Sequence, residues 1–564
     1  MIIAVGSASL EPTYIELDNH IIMTTITNIY QNFIKNSALS LLLLAPFLDF
    51  LRFNNYSLLR PEAIIIFIAL VILGVVCSRI CRALGTVGNI VLTALLITIA
   101  FSFFPTYTSI AALLFVFMAA LLFCMLFTKH AHELIGIIFL VFALGIFFLP
   151  MQTQAADPVI WHKDIPHKSA QLPPVIYIIL DEHAGIEAIP PETQQGIALK
   201  ENLKAFYAQN GFQLFGSAYS HYPNTYNSIP NLLNFTDSTV DNYYFDSDTH
   251  RELKQNLLFN LFAKKGYQFR IYQGGDYLDY CTIKNIPIAS CYSFSTLSVG
   301  MMAQTSLPLW QRFEFLLKGF LLQSSLYQIA MDFYQYQLRP LSEVYNIPIP
   351  KWDWDEARVS SLSMLKTFAQ LNVDVQQNPN GTVFFAHIFA PHSPYAYDAD
   401  CHLLPVGQWQ VGTVPMPFVK NTSETRALIY KTYEGQTTCV QKQLQIIFNN
   451  LHAAKIYDNA IIIVQGDHGS RIAIHKPFFE NQSELTVQDF KDYYMTLFAV
   501  KIPGKSAIYN TQLLDLQTLL AGIMPNIAGQ TVAVRQISPY VYLLPPKVGM
   551  PLVKMSVRDF SNPP

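Results

Sequence analysis

Charge is what this 564-residue chain has least of: Asp, Glu, Lys and Arg together make up 13% of it, about half the share of an ordinary soluble domain, which carries roughly 25%. That argues strongly against a simple water-soluble protein. No basic run occurs anywhere, the net charge is -3 and the isoelectric point lies near 6.5. That excludes a general nucleic-acid binder, because such binding draws most of its affinity from clustered Lys and Arg on phosphates. The chain has no P-loop and no dinucleotide fingerprint, so neither nucleotide-phosphate cradle is present. It has no C-x-x-C pair, which removes the common cysteine zinc site. It has no internal repeat and no low-complexity segment. The first residues lack the basic start of a cleaved secretory leader, since Met1–Leu17 carries Glu11 and Glu16 instead.

What is abundant is apolar side chain, at 51% of residues with a positive mean hydropathy of +0.27. The shortage of charge is uneven: residues 1–151 hold six Lys/Arg and six Asp/Glu, against 30 and 33 in the remaining 413 positions. Two media are implied, a membrane first and water afterwards. A hydrocarbon core about 30 Å thick needs roughly 20 apolar helical residues, and five runs approach this: Ser37–Phe53, Glu62–Ile80, Thr86–Phe104, Thr108–Phe127 and Leu134–Met151. The first is the weakest, being short and holding Pro46 and Asp49. With the N-terminus inside, Lys35, Arg79, Arg82 and Lys129 fall on the inner side and Arg52 and Arg60 on the outer, the sense of the positive-inside rule. Five spans then put everything after Met151 outside the cytoplasm. Residues 1–36 form an N-terminal segment in which Ile21–Phe33 is a candidate interfacial helix, residues 37–151 the transmembrane domain, and residues 152–174 a linker.

From Val175 the pattern changes. Val175–Leu180 is a continuous run of mostly β-branched apolar residues, as in a parallel strand buried on both faces. Similar runs recur at Val383–Phe389 and Ala460–Val464, interleaved with helical stretches at Glu201–Asn210, Glu252–Lys264 and Thr425–Leu451. This alternation predicts one large α/β domain with a mostly parallel sheet over residues 175–564, and in such sheets ligands bind beyond the carboxyl ends of the strands. Asp181-Glu182-His183 follows the first run. Asp467-His468 follows the third, with Gly466 and Gly469 on either side to let the backbone turn tightly. The second run contains His387 and is followed by Pro391-His392. An acid at one strand end can equally be a helix cap, but three strand ends delivering carboxylates and imidazoles to one rim form a ligand set for a divalent ion, Zn or Mn, with Mg or Ca as alternatives. Between them, in the segment Tyr222 to Asn231, Thr225 stands near a helix start, where backbone N–H groups favour an anion. A metal-bound Thr alkoxide there could attack phosphorus or sulfur.

The order of these motifs, strand then acid, Thr at a helix start, His, then Asp-His-Gly, resembles the alkaline phosphatase/sulfatase superfamily. With the preceding apolar helices it resembles the superfamily's membrane-anchored branch, the phosphoethanolamine transferases and lipoteichoic acid synthases. Phosphoethanolamine transferases carry Ser three and Pro five residues after the nucleophilic Thr, as Thr225, Ser228 and Pro230 do. The resemblance implies Thr225 as nucleophile, a metal held by Asp181 or Glu182 with Thr225, Asp467 and His468, and His387 or His392 orienting substrate phosphate or a second ion. Two departures bear on substrate. Those transferases continue after Asp-His-Gly with Glu-Ser-Leu-Gly, whereas here Ser470-Arg471-Ile472 follows. Formylglycine sulfatases need C/S-x-P-x-R, and the stretch beginning at Ser228 has Leu232 in place of the Arg.

Of seven Cys, Cys77, Cys81 and Cys124 fall in the apolar helices and Cys281, Cys291, Cys401 and Cys439 in the exported part. Four exported Cys permit two disulfides in three pairings; proximity favours Cys281 with Cys291, and hence Cys401 with Cys439. Ser306–Leu338, rich in Leu, Phe and Tyr with few charges, is expected either on the membrane surface or packed on the sheet. Arg471, His475 and Lys476 could meet a substrate anion or be solvated charges. The expected protein is a monomeric multi-pass plasma-membrane enzyme with its site on the outer face. It would form a threonine ester with a phosphoryl-bearing group from a membrane lipid and pass that group to an envelope acceptor or to water. The alternatives are a sulfuric ester hydrolase without formylglycine and a degenerate protein that binds an envelope glycan, the last marked by loss of ligands.

Overall fold

A computed structural model describes residues 37–54, 56–104, 109–148, 159–162, 171–190, 194–239, 253, 255–274, 278–294, 307–334, 338, 341, 360–377, 379–405, 408–409, 422–534, 539–545 and 550–557. The expectations for residues 1–36, with the interfacial helix at Ile21–Phe33, lie outside these. The chain divides into two units, one of Met1–Thr153 with Pro308–Pro350 and one of Gln154–Leu307 with Lys351–Pro564.

In the first unit each of the five apolar runs is a helix: 37–53, Pro61–Ala83, Gly85–Phe101, Ile110–Leu126 and Ala131–Phe148. Pro61 starts its helix where a missing N–H costs nothing. Ser109 caps the fourth helix by accepting a hydrogen bond from the Ala112 N–H. Among the described residues one helix, Pro61–Ala83 with 23 residues, is long and apolar enough to cross a membrane by length and composition. The next three run 17, 17 and 18 residues. Outward side chains of these helices and of Pro61–Ala83, among them Ile72, Phe115, Met118 and Val141, are apolar and exposed. The segment expected on the membrane surface or on the sheet forms two helices, Leu309–Leu322 and Ser325–Phe333, that fall in the first unit and not on the sheet, packed against the first three of the five helices and the residues that follow them. Phe320 stacks on Phe103 at 4.4 Å and meets Phe47 edge-on at 5.2 Å. Arg312 lies 3.3 Å from Glu62, and the Ser325 N–H donates to the Ser102 carbonyl at 2.8 Å. The composition of this segment reveals an apolar face; it cannot say which surface covers that face.

The second unit is built on a nine-stranded sheet. Its strands are β1 (Val159–His162), β2 (Val175–Leu180), β3 (Gln213–Phe215), β5 (Gln268–Gly274), β6 (Ile288–Phe294), β7 (Thr382–Ile388), β8 (Ile461–Gly466), β9 (Phe498–Lys501) and β10 (Ile508–Asn510); β4 (Ala218–Tyr219) pairs outside it. The order is β1-β6-β5-β7-β2-β8-β9-β3-β10. The five central strands β6-β5-β7-β2-β8 are parallel, as the apolar runs predict, while β1 and β9 join antiparallel. Every residue of β2 is buried, which is why it reads as an unbroken apolar run with no alternation. The stretch expected as linker contributes β1 as an edge strand. Helices appear at Gln194–Gln209, Leu257–Lys265 and Ser423–Ala453, close to the expected positions. Both favoured disulfides, Cys281–Cys291 and Cys401–Cys439, are present.

Aromatic rings fill the layer beside the sheet. Phe385 on β7 meets Phe259 at 4.9 Å, Tyr280 at 5.0 Å and Tyr177 at 5.4 Å, all three edge-to-face or nearly so. Phe385→Ala removes the ring these three share and leaves a cavity, so it should destabilise the unit by about 3–5 kcal/mol. The check is a lower urea midpoint of unfolding at an unchanged slope.

Candidate metal centre and nucleophile

The registers decide where the polar strand ends meet. β2 lies between β7 and β8 with Ile179 opposite His387 and Gln465, and Leu180 opposite Ile388 and Gly466. Asp181 and Asp467, one residue past their strands, therefore stand side by side, and His387 lies at the end of the third strand. Asp181, Asp467 and His468 are buried and offer three ligand atoms all within 4.8 Å of one another. Asp467 Oδ1 accepts the Glu182 N–H at 3.1 Å and the His468 N–H at 2.9 Å. That leaves Asp467 Oδ2, like Asp181 Oδ2, buried with no hydrogen-bond partner among the described residues. His468 Nδ1 donates to the Gly469 carbonyl at 2.9 Å, so the lone pair on Nε2 faces Asp467 Oδ2 at 3.3 Å and Asp181 Oδ1 at 3.8 Å.

The electrostatics follow from burial. Desolvation, with the neighbouring Asp467 charge, pushes Asp181 well above the ordinary carboxylate range. Burial, helped by Arg471, pulls His468 down to about 3, and burial pulls His387 down to about 4. The imidazoles are thus in their uncharged, ligating form, while two carboxylates face each other with orphaned oxygens. A divalent ion between Asp181, Asp467 and His468 would satisfy both; an oxygen and nitrogen donor set of this kind fits Zn or Mn.

Thr225 is the first residue of a helix, Thr225–Asn234, capped by Asn224, whose side chain accepts the Asn227 N–H at 3.0 Å. Its Oγ1 lies 3.2 Å from His468 Nε2 and 3.5 Å from Asp181 Oδ1. Ser228, one turn on, faces elsewhere: its hydroxyl donates to the Asp467 carbonyl at 2.6 Å and accepts from Ser220 at 3.0 Å. His387 Nε2 sits 3.5 Å from Asp181 Oδ2.

Glu182, His392 and Arg471 form an adjoining cluster. Arg471 pairs with Glu182 and donates to His392 Nε2 at 3.2 Å. The second Glu182 oxygen accepts the Ser393 N–H at 3.2 Å. Burial alone would raise Glu182, but Arg471 and then His392 hold it below the usual carboxylate range. The Glu182 carboxylate is thus engaged by Arg471, and of the two acids after β2 it is Asp181 that faces Asp467. His475 is taken up by Asp489 at 2.9 Å.

The glycines flanking Asp467-His468 act differently from the expected tight turn, since neither has a positive φ. A Cβ on Gly466 would strike the Thr496 hydroxyl and the His183 carbonyl, and one on Gly469 the Asp492 backbone. They are there for close approach. The positive φ falls on Glu182 (63°) and Arg471 (56°). Sequence reasoning missed Tyr433, whose hydroxyl donates to the Glu182 carbonyl at 3.0 Å and accepts the Ala184 N–H at 2.7 Å. It also missed Asp492, which accepts from Arg426 and Tyr430 beneath the Gly469–Arg471 loop. These partners are separated by 60 to 250 residues, and no local pattern marks them.

Asp467→Asn removes one charge from the pair and should abolish zinc retention after dialysis at unchanged secondary structure; full zinc content by elemental analysis would break the ligand assignment. Because Asp181 is shifted upward, a proton competes for it at higher pH than for a free Asp, so zinc affinity should fall as pH drops from 7.5 to 5. Titration calorimetry at the two pH values reads this.

Comparison with known proteins adds one family and a set of distant structures. The sulfatase family profile matches residues 175–490. No curated protein matches the chain. Among solved structures, the C-terminal periplasmic domain of EcEptC from Escherichia coli, in complex with Zn, aligns at 12% identity over 72% of this chain and 97% of that one, with a TM-score of 0.39. The phosphonate monoester hydrolase of Agrobacterium radiobacter aligns at 14% identity over 66% and 80%, with a TM-score of 0.38. The 2-O GAG sulfatase BT1596 aligns at 13% over 66% and 77%, also at 0.38.

Proposed function

The chain belongs to the sulfatase family of enzymes, and from that membership we propose a metal-dependent transferase or hydrolase that works through a covalent ester on Thr225. The observation that carries the reading is the Thr225 hydroxyl at a helix N-terminus, in contact with both His468 Nε2 and Asp181 and next to the Asp181, Asp467 and His468 cluster. Those three residues, with Thr225, would hold a divalent ion, which when bound would supply the positive charge that lowers the hydroxyl pKa. Thr225 Oγ1 forms the new bond to phosphorus as the bond to the leaving alcohol breaks, and that alcohol takes the proton. The first N–H groups of the Thr225 helix stabilise the anionic group. His387, His392 and Arg471 orient its oxygens; an acceptor hydroxyl or water then bonds to phosphorus as the Thr225 Oγ1–P bond breaks, and its proton returns to Thr225.

The donor class follows from topology. We take the five N-terminal helices as membrane spans with the N-terminus inside. Two features support this: their outward apolar side chains, and the contacts of helices Leu309–Leu322 and Ser325–Phe333, which reach Phe47, Glu62, Ser102 and Phe103, all at one end of the bundle. On the positive-inside count that end is the outer one. A site on the outer face has no ATP, so the transferred group, phosphoethanolamine- or glycerophosphate-like, comes from a membrane lipid and goes to an envelope acceptor. A reporter active only outside the cytoplasm should work when fused after Pro174 and fail after Arg82; the opposite pattern would overturn the orientation.

The family name favours a second reading, a sulfuric ester hydrolase that uses Thr225 or Ser228 without formylglycine. Thr225→Ala should lower turnover by at least about a thousandfold with zinc content intact, Thr225→Ser should keep partial activity, and Ser228→Ala should be milder. Intact-mass analysis of the trapped enzyme separates the heavier phosphoethanolamine or glycerophosphate adduct from a sulfuryl one. An active Thr225→Ala with a dead Ser228→Ala would move the nucleophile to Ser228.

A further inference from the structure

His387 is one of the groups set against the transferred oxygens, and what fixes its ring lies outside the metal cluster. The ring is buried on β7 with Nε2 at the Asp181 edge, and Nδ1 is 3.0 Å from the Tyr280 hydroxyl. Tyr280 is fully buried, and its ring meets Phe385 at 5.0 Å. The loop that carries it is clamped on both sides. The Tyr280 N–H donates to Gln273 Oε1 at 2.8 Å, Gln273 Nε2 donates to Asp279 Oδ1 at 3.1 Å, and that same oxygen accepts the Cys281 N–H at 2.8 Å. Cys281 is bonded to Cys291 on β6, opposite Ile271 of β5. An uncharged imidazole has one N–H, and the bond made at one nitrogen decides which nitrogen carries it.

The geometry points to Tyr280 as a positioning residue: its hydroxyl donates to His387 Nδ1, which keeps the single N–H on Nε2 facing the Asp181 edge of the site, and the Cys281–Cys291 disulfide holds the loop that delivers the phenol. A transferred phosphoryl oxygen then meets a donor, because the lone pair that would repel it is occupied by the phenol. This rests on the reading of His387 as a phosphoryl contact and is independent of Thr225 as nucleophile.

The test uses the full-length, zinc-loaded protein carrying Thr225→Ala, so that no chemistry intervenes, with inorganic phosphate as the probe in titration calorimetry. Adding Tyr280→Phe keeps the buried ring and should weaken phosphate binding about fivefold to tenfold, the scale of one lost side-chain hydrogen bond, with zinc content and melting temperature unchanged. His387→Ala should weaken it at least as much, and Tyr280→Phe should then add nothing, since the two act as one unit. Replacing Cys281 and Cys291 together by Ser should reproduce the Tyr280→Phe loss and add nothing to it. Unchanged affinity in Tyr280→Phe, or a full additional loss on the His387→Ala background, overturns the inference, as does absence of phosphate binding in zinc-loaded Thr225→Ala protein. The covalent reading stands or falls separately, on whether wild type cleaves bis(para-nitrophenyl) phosphate and Thr225→Ala does not.

Discussion

Two carboxylates brought together out of water are the constraint on which the site depends. Asp181 and Asp467 end neighbouring parallel strands, and their oxygens lie within 4.8 Å of the His468 ligand atom and of one another. At such a spacing two unit charges repel by about 3–4 kcal/mol at an effective dielectric near 20, on top of desolvation. The surroundings answer that charge. Two backbone N–H groups bind Asp467 Oδ1, burial keeps His468 and His387 uncharged, and Thr225 brings a helix N-terminus to the same point. A cation turns the repulsion into binding energy, which is why the arrangement reads as a metal centre rather than as a structural defect.

Holding that arrangement requires backbone that most residues avoid. Glu182 and Arg471 both sit in the left-handed region, a conformation costing of order 1–3 kcal/mol for each non-glycine residue. Their side chains close on one another, and Tyr433 and Ser393 fix the Glu182 carbonyl and carboxylate. Beneath the second turn, Asp492 draws in Arg426, and the Arg471 N–H donates to the Asp492 carbonyl at 2.7 Å. These two turns follow Asp181 and Asp467, and hydrogen bonds from Arg426, Tyr430 and Tyr433 of the long Ser423–Ala453 helix hold them.

The first unit follows a different logic. Its helices are apolar on nearly every face, and two groups of their polar side chains meet the returning helices, Glu62 with Tyr56 and Arg312, and Ser102 with Ser324, while Thr93, Asn89 and His132 pair with one another within the bundle. Buried polar groups of this kind need partners, and for Glu62 and Ser102 partners come from a segment more than 200 residues later in the chain.

Periodicity and residue type determined a good deal by themselves. Val175–Leu180 had to be a strand buried on both faces because no polar residue interrupts it, and β7 and β8 follow from the same reasoning. The acid or histidine at each strand end, and Thr225 near a helix start, were legible because strand ends and helix starts are local events. Register and side-chain direction are not local. That Asp181 faces Asp467 while Glu182 turns to Arg471, and that Gly466 and Gly469 serve close approach and not a turn, were decided only when β2 settled between β7 and β8, and that Tyr280 reaches His387 only when β5 paired with β7. The same holds for Leu309–Phe333, whose composition shows an apolar face without naming its partner. Each of these depends on contacts between residues tens to hundreds of positions apart, and chain-local chemistry carries no record of which distant surface packing will select.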